Sequence, residues 1–99
     1  MAYIDPTEVS PANYTKVWEE GPRRVVEMRL KAGETDTQHS HTSELVYFVK
    51  GGKVKVHLDN GETMEAEFPD GFVMAHDPWT HTVENVGTTD IFAIIFETK

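Results

Sequence analysis

No cysteine occurs in the 99 residues. That absence excludes disulfides, thiolate nucleophiles, cysteine zinc sites and iron–sulfur clusters. Any tightly held metal must therefore use nitrogen and oxygen ligands. Arginine is scarce (Arg23, Arg24 and Arg29), and the net charge is −8. Such a field repels phosphate, so no nucleic acid is expected as a partner. Long apolar runs are missing too. None approaches the ~20 residues that span a bilayer, so no membrane is expected. The opening MAYIDPTEVSP has neither a basic leader nor an apolar stretch, which reads as no secretory signal and a cytoplasmic protein. Helical periodicity is nearly absent, as are repeats and low-complexity tracts.

What remains is one domain, large enough to bury roughly 60–65% of its unfolded surface. Residues 1–13 contain Pro6 and Pro11 and read as an irregular N-terminal arm; residues 14–99 read as the domain. From Tyr14 onward, short extended segments are divided by turn residues. Val25–Leu30 lies between Gly21-Pro22 and Gly33, and Glu44–Val49 ends at Gly51-Gly52. Val54, Val56 and Leu58 alternate with Lys53, Lys55 and His57, the period of two of a half-buried strand. Asp59-Asn60-Gly61 signals a hairpin, after which Met64, Ala66 and Phe68 alternate with glutamates. Phe72–Ala75, Thr80–Asn85 and Ile91–Glu97 bring the count to about eight strands. This is the spacing of an all-β sandwich or small antiparallel β-barrel.

Two strands break simple alternation. In Glu44–Val49, Val46 and Phe48 share a side with Glu44, while Leu45, Tyr47 and Val49 take the other. In Ile91–Phe96 both faces are apolar. A strand apolar on both faces is usually covered on both. A barrel has one interior, so the outer face requires a partner, and a homodimer through these strands is expected. The alternative is that the N-terminal arm covers that face within one chain.

The chemistry-bearing residues fall in two groups. His39 and His41 are separated by one residue, with Glu44 following. On an extended segment such a pair points to one side, roughly 6.5–7 Å apart at the backbone. Two imidazoles so placed can converge on one ion at ~2.1 Å each. The second group is His76-Asp-Pro78-Trp79-Thr-His81, where the turn at Pro78 leads into a strand carrying His81, Val83 and Asn85 on one face.

Both groups, in this order, resemble the two sequence motifs of the cupins. The first motif is matched by Gly33, five residues, His39, one residue, His41, then Glu44 and, after a gap of six residues, Gly51; the second by Gly71, His81 and Asn85. The resemblance covers roughly residues 23–97. It departs from the usual pattern in three places. Two residues instead of three or more separate His41 from Glu44, His76 and Pro78 stand where proline and glycine are usual, and Gly71 lies ten residues before His81. Counted back from Gly51, Glu44 occupies the ligand position; counted forward from His41, it does not. If Glu44 turns outward, a water or His76 could complete the site.

The resemblance implies a double-stranded β-helix, the cupin jelly roll. It also implies one divalent transition metal (Fe, Mn, Ni, Co or Zn) held by His39, His41, His81 and Glu44. Cupins with such sites include dioxygenases, isomerases, decarboxylases and hydrolases. The expectation is a metal-dependent enzyme, of oxygenase or isomerase type, acting on a small polar organic molecule. Glu44 or His76 would be its proton shuttle where not bound to metal. The alternative is a non-catalytic binding, sensing or structural protein. His57 shares the lysine face of its strand and reads as solvent-exposed. Asn85 reads as satisfying backbone groups, and Trp79 as a pocket wall or a cap on the barrel end. Phe48, Met74, Phe92, Ile94 and Phe96 are candidates for core or pocket.

Overall fold

The computed structural model describes residues 3–99. A one-turn helix α1 (Pro6–Val9) precedes nine strands: β1 (Tyr14–Glu20), β2 (Arg23–Leu30), β3 (His39–His41), β4 (Ser43–Lys50), β5 (Gly52–Leu58), β6 (Thr63–Phe68), β7 (Val73–His76), β8 (Trp79–Asn85) and β9 (Ile91–Thr98). They form two antiparallel sheets, ordered β1-β2-β9-β4-β7 and β3-β8-β5-β6. The chain passes repeatedly from one sheet to the other, as in a jelly roll. The all-β barrel read from the sequence is the fold.

Period-two alternation builds the interior. Val26, Met28 and Leu30 of β2, Val46 and Phe48 of β4, and Ile91, Ala93 and Ile95 of β9 face Val54, Val56 and Val83 of the opposite sheet. Fully burying one such Leu, Ile or Val contributes about 1.5–3 kcal/mol. Glycine is obligatory at the β4–β5 corner: a Cβ on Gly51 would lie 1.9 Å from the carbonyl oxygen of Phe68. The hairpin after β5 has a three-residue loop. Leu58 N donates to Glu62 O at 2.8 Å and Gly61 N to Leu58 O at 3.0 Å. Gly61 alone takes the positive φ, +91°, so Asn60 needs no left-handed backbone there.

Some expectations are corrected in detail. The described residues form nine strands instead of about eight, because His39–His41 is itself a strand. The segment expected at Phe72–Ala75 runs over Val73–His76, and the one expected from Thr80 begins at Trp79. The arm is not wholly irregular: Asp5 caps a single helical turn, its Oδ1 accepting from Thr7 N at 2.9 Å.

That arm lies along the β3 edge, away from the outer face of the five-stranded sheet. Ser40 N donates to Ile4 O at 2.7 Å, and Thr37 N to Ser10 Oγ at 3.2 Å. On the outer face, which no other described segment covers, Trp18, Val25, Phe96, Leu45 and Ala75 are successive cross-strand partners in one row. Ile94, Tyr47 and Val73 form the next row. Phe96 is 48% exposed and Leu45 45%. No helix among the described residues is long and apolar enough to cross a membrane.

Candidate metal centre

His39 and His41, two apart on β3, share a face, and antiparallel pairing sets His81 of β8 directly opposite His39. All three are buried, and one nitrogen from each lies within 4.8 Å of the others. His39 Nδ1 donates to Thr37 O at 2.7 Å, and His41 Nδ1 to Glu97 Oε2 at 2.6 Å. A carbonyl and a carboxylate only accept, so each Nδ1 carries a hydrogen and each Nε2 is the nitrogen left to face the other ring. These two Nε2 atoms face one another across 3.0 Å.

At that distance the two nitrogens share either a proton or a metal ion. Burial, reinforced by the neighbouring His41, lowers the His39 pKa to about 4, the Thr37 carbonyl opposing. Burial, with His41 and His39 beside it, lowers His81 to about 2. Both rings are therefore neutral at pH 7, the form that ligates metal. His81 Nδ1 is buried without a hydrogen-bond partner among the described residues. Three buried imidazoles with converging nitrogens, one of them carrying an orphaned ring nitrogen, fit a divalent cation, and an all-imidazole set suits Fe, Mn, Ni, Co or Zn.

The other side chains hold these rings in place. Glu97, on the inward phase of β9, also accepts from Arg24 Nε at 2.6 Å. Burial opposes its ionisation, but the hydrogen bonds from His41 and Arg24 outweigh that and hold its carboxyl below the usual range. Arg24 in turn meets both oxygens of Asp5 at 3.2 Å and the Tyr3 hydroxyl at 2.8 Å, tying the arm to the site. Behind His39, Asp36 accepts from Tyr14 Oη at 2.7 Å and Val83 N at 2.8 Å. Burial still raises Asp36 to about 6.

Glu44 points inward on β4 but is not one of the converging group. Its Oε2 accepts from Trp79 Nε1 at 3.0 Å and lies 3.7 Å from His41 Nδ1, the ring nitrogen bonded to Glu97. Burial raises its pKa, the nearby His41 and the Trp79 bond opposing. His76 is the cross-strand partner of Glu44. Its ring stacks on Trp79, centroids 3.6 Å apart, and its Nδ1 donates to Asp77 O at 2.6 Å. Both thus stand at the cavity mouth, with Trp79 as wall. Asn85 satisfies backbone groups as expected, donating to Leu30 O and Thr89 O and accepting from Gly87 N. His57 is half-buried instead of free in solvent, its Nε2 3.2 Å from Glu84 Oε1. Phe48 and Met74 line the interior, whereas Phe96 is on the outer face.

Sequence reasoning passed over Glu97, Arg24, Asp36 and Tyr14. A signal existed for two of them. Arg24 continues the inward phase of Val26 and Met28, and Glu97 that of Ala93 and Ile95.

No family model and no curated protein matches the sequence. Solved structures do match. A cupin domain from Bordetella pertussis is similar over 87% of this chain and 91% of its own, with 19% identity and a TM-score of 0.77. An RmlC-like cupin with a double-stranded β-helix, from Methanocaldococcus jannaschii, covers 86% and 77% at 13% identity and 0.67. A Klebsiella pneumoniae protein with a double-stranded β-helix domain covers 90% and 75% at 19% and 0.65. The fold is that of the cupins.

Proposed function

We propose that this chain, a cupin-fold barrel, holds one divalent transition metal through His39, His41 and His81 and acts there on a small organic molecule as a metal-dependent enzyme. The observation that carries the reading is the convergence of three buried histidines, one nitrogen of each within 4.8 Å of the others, with the His39 and His41 rings fixed by Thr37 and Glu97. When bound, the ion would supply Lewis-acid polarisation of a substrate oxygen or, as iron, dioxygen chemistry. Glu44 is assigned the proton at its Oε atoms: burial favours its protonated form, and it borders the cavity beside His41. That role needs Glu44 free of metal, in keeping with its bond to Trp79. His76, at the mouth, is assigned the relay of that proton towards solvent. Metal analysis of the purified protein tests the reading, with about one equivalent expected. No uptake of any of the five metals on reconstitution sinks it.

The same reading includes a homodimer. The rows running from Trp18 to Ala75 and from Ile94 to Val73 form a continuous apolar face, and the arm leaves it open. A two-fold axis would bury each Phe96 once per copy, so Phe96→Glu removes two aromatic contacts per interface. Sedimentation should give twice the 11.2 kDa chain mass for the natural protein. Phe96→Glu should associate at least about 100-fold more weakly, from two buried phenyl rings at 1.5 kcal/mol or more each. A natural protein that sediments as a monomer at high concentration removes the dimer.

A further inference from the structure

The barrel interior contains a cavity of about 110 Å³, with His41 and His81 in its wall. The rest is almost wholly apolar: Phe48, Val54, Val56, Ala66, Phe68 and Met74 are among the side chains that close it. No lysine or arginine among the described residues lines it, and its acidic member is Glu44. Arg24, which reaches His41 only through Glu97, is engaged by Glu97 and Asp5. We infer that the site takes a neutral molecule with a metal-chelating oxygen head and a short, uncharged aliphatic tail of about four carbons. This rests on the metal reading above and narrows its substrate class.

The size follows from comparison with known cavities. An apolar cavity of about 150 Å³ takes a benzene ring, so 110 Å³ takes a chain or branched group of about four carbons. The charge follows from the lining. A carboxylate on the tail would lose its hydration among phenyl and aliphatic groups and find no cation. Glu44 would repel it when ionised. Only the head has polar partners, at the histidine end and along Glu44 and His76. The polar molecule expected from the sequence is thereby narrowed to one polar at its head alone.

The test uses whole protein reconstituted with cobalt(II), its metal content measured on the same samples. The probes are straight-chain hydroxamic acids from acetyl to octanoyl, with the monohydroxamate of succinic acid as the acidic counterpart. Binding is followed by calorimetry and by the cobalt absorption bands. Affinity should rise about threefold to fourfold per methylene up to about four carbons and then level off or fall. The succinyl probe should bind at least tenfold more weakly than the butanoyl one. Ala66→Leu, which adds bulk inside the cavity, should flatten the series while leaving acetohydroxamate binding in place. Metal held at one equivalent with no dependence on chain length, or with equal binding of the succinyl probe, overturns the substrate class and leaves the metal site standing. Failure to hold cobalt overturns the metal reading itself.

Discussion

Replacing His81 or His39 by alanine should empty the centre, lowering metal affinity at least about 100-fold. The magnitude follows from a comparison. Removing a residue that merely orients a metal ligand typically costs 10–100-fold, and these two substitutions remove a ligand outright. Two imidazoles remain in either variant, too few for the tight binding that an all-nitrogen site requires without thiolates. The loss should not be a folding artefact. His39 and His81 are neutral in the folded protein, held to about 4 and about 2 by burial, so their removal takes no buried charge away. Two further histidines serve as controls. His57→Ala and His76→Ala should keep the full metal complement, since His57 pairs with Glu84 and His76 stacks on Trp79. Glu44→Gln should also keep it, on the assignment of Glu44 to the proton. Titration with a chromophoric chelator competitor reads all five variants. Full metal content in His81→Ala would remove the three-histidine site, and loss in Glu44→Gln would make Glu44 a fourth ligand.

How far the centre was legible depends on which distances are local. His39 and His41 share a face because strand geometry repeats every two residues, and this was readable from their spacing. That β3 is a strand was less so, because His-Ser-His contains no apolar residue to mark a buried face. The ambiguity over Glu44 has a physical origin. Between His41 and Ser43 the chain leaves the four-stranded sheet for the five-stranded one, so alternation counted forward from His41 is interrupted at Thr42. Within β4 alternation runs unbroken from Glu44 through Val46 to Phe48, all buried, so Glu44 takes the inner face. The outer face of β9 was readable from its apolar residues, but its cross-strand row from Trp18 to Ala75 was not, since register between distant strands is set by tertiary pairing. The same holds for Glu97, which meets His41 from 56 residues away. A charged residue on the inward phase of an apolar strand was the local clue, and its partner Arg24 was the corresponding clue on β2.

That pair carries the second large effect. Arg24 and Glu97 are almost fully buried, with side-chain exposures of 6% and 2%. Breaking a buried ion pair by removing one partner costs about 3–5 kcal/mol, because the other charge is left without compensation. Arg24→Met should therefore lower the melting temperature by roughly 15–30 °C for a domain of this size, and the same cut frees Asp5 and with it the arm. Glu97→Gln should act differently. The amide keeps the volume but offers a single acceptor oxygen where His41 Nδ1 and Arg24 Nε each donate to a separate carboxylate oxygen. One donor must then face an NH₂ group, and His41 loses the partner that directs Nε2 towards His39. The expected signature is a metal affinity reduced 10–100-fold beside a smaller loss of metal-free stability than in Arg24→Met. Because a metal that binds only the folded state stabilises it by mass action, the two variants separate in one experiment. Melting curves with and without saturating metal should show a large metal-induced rise in Arg24→Met and a diminished one in Glu97→Gln. Equal rises in both would mean that Glu97 contributes packing and charge balance to the fold without orienting His41.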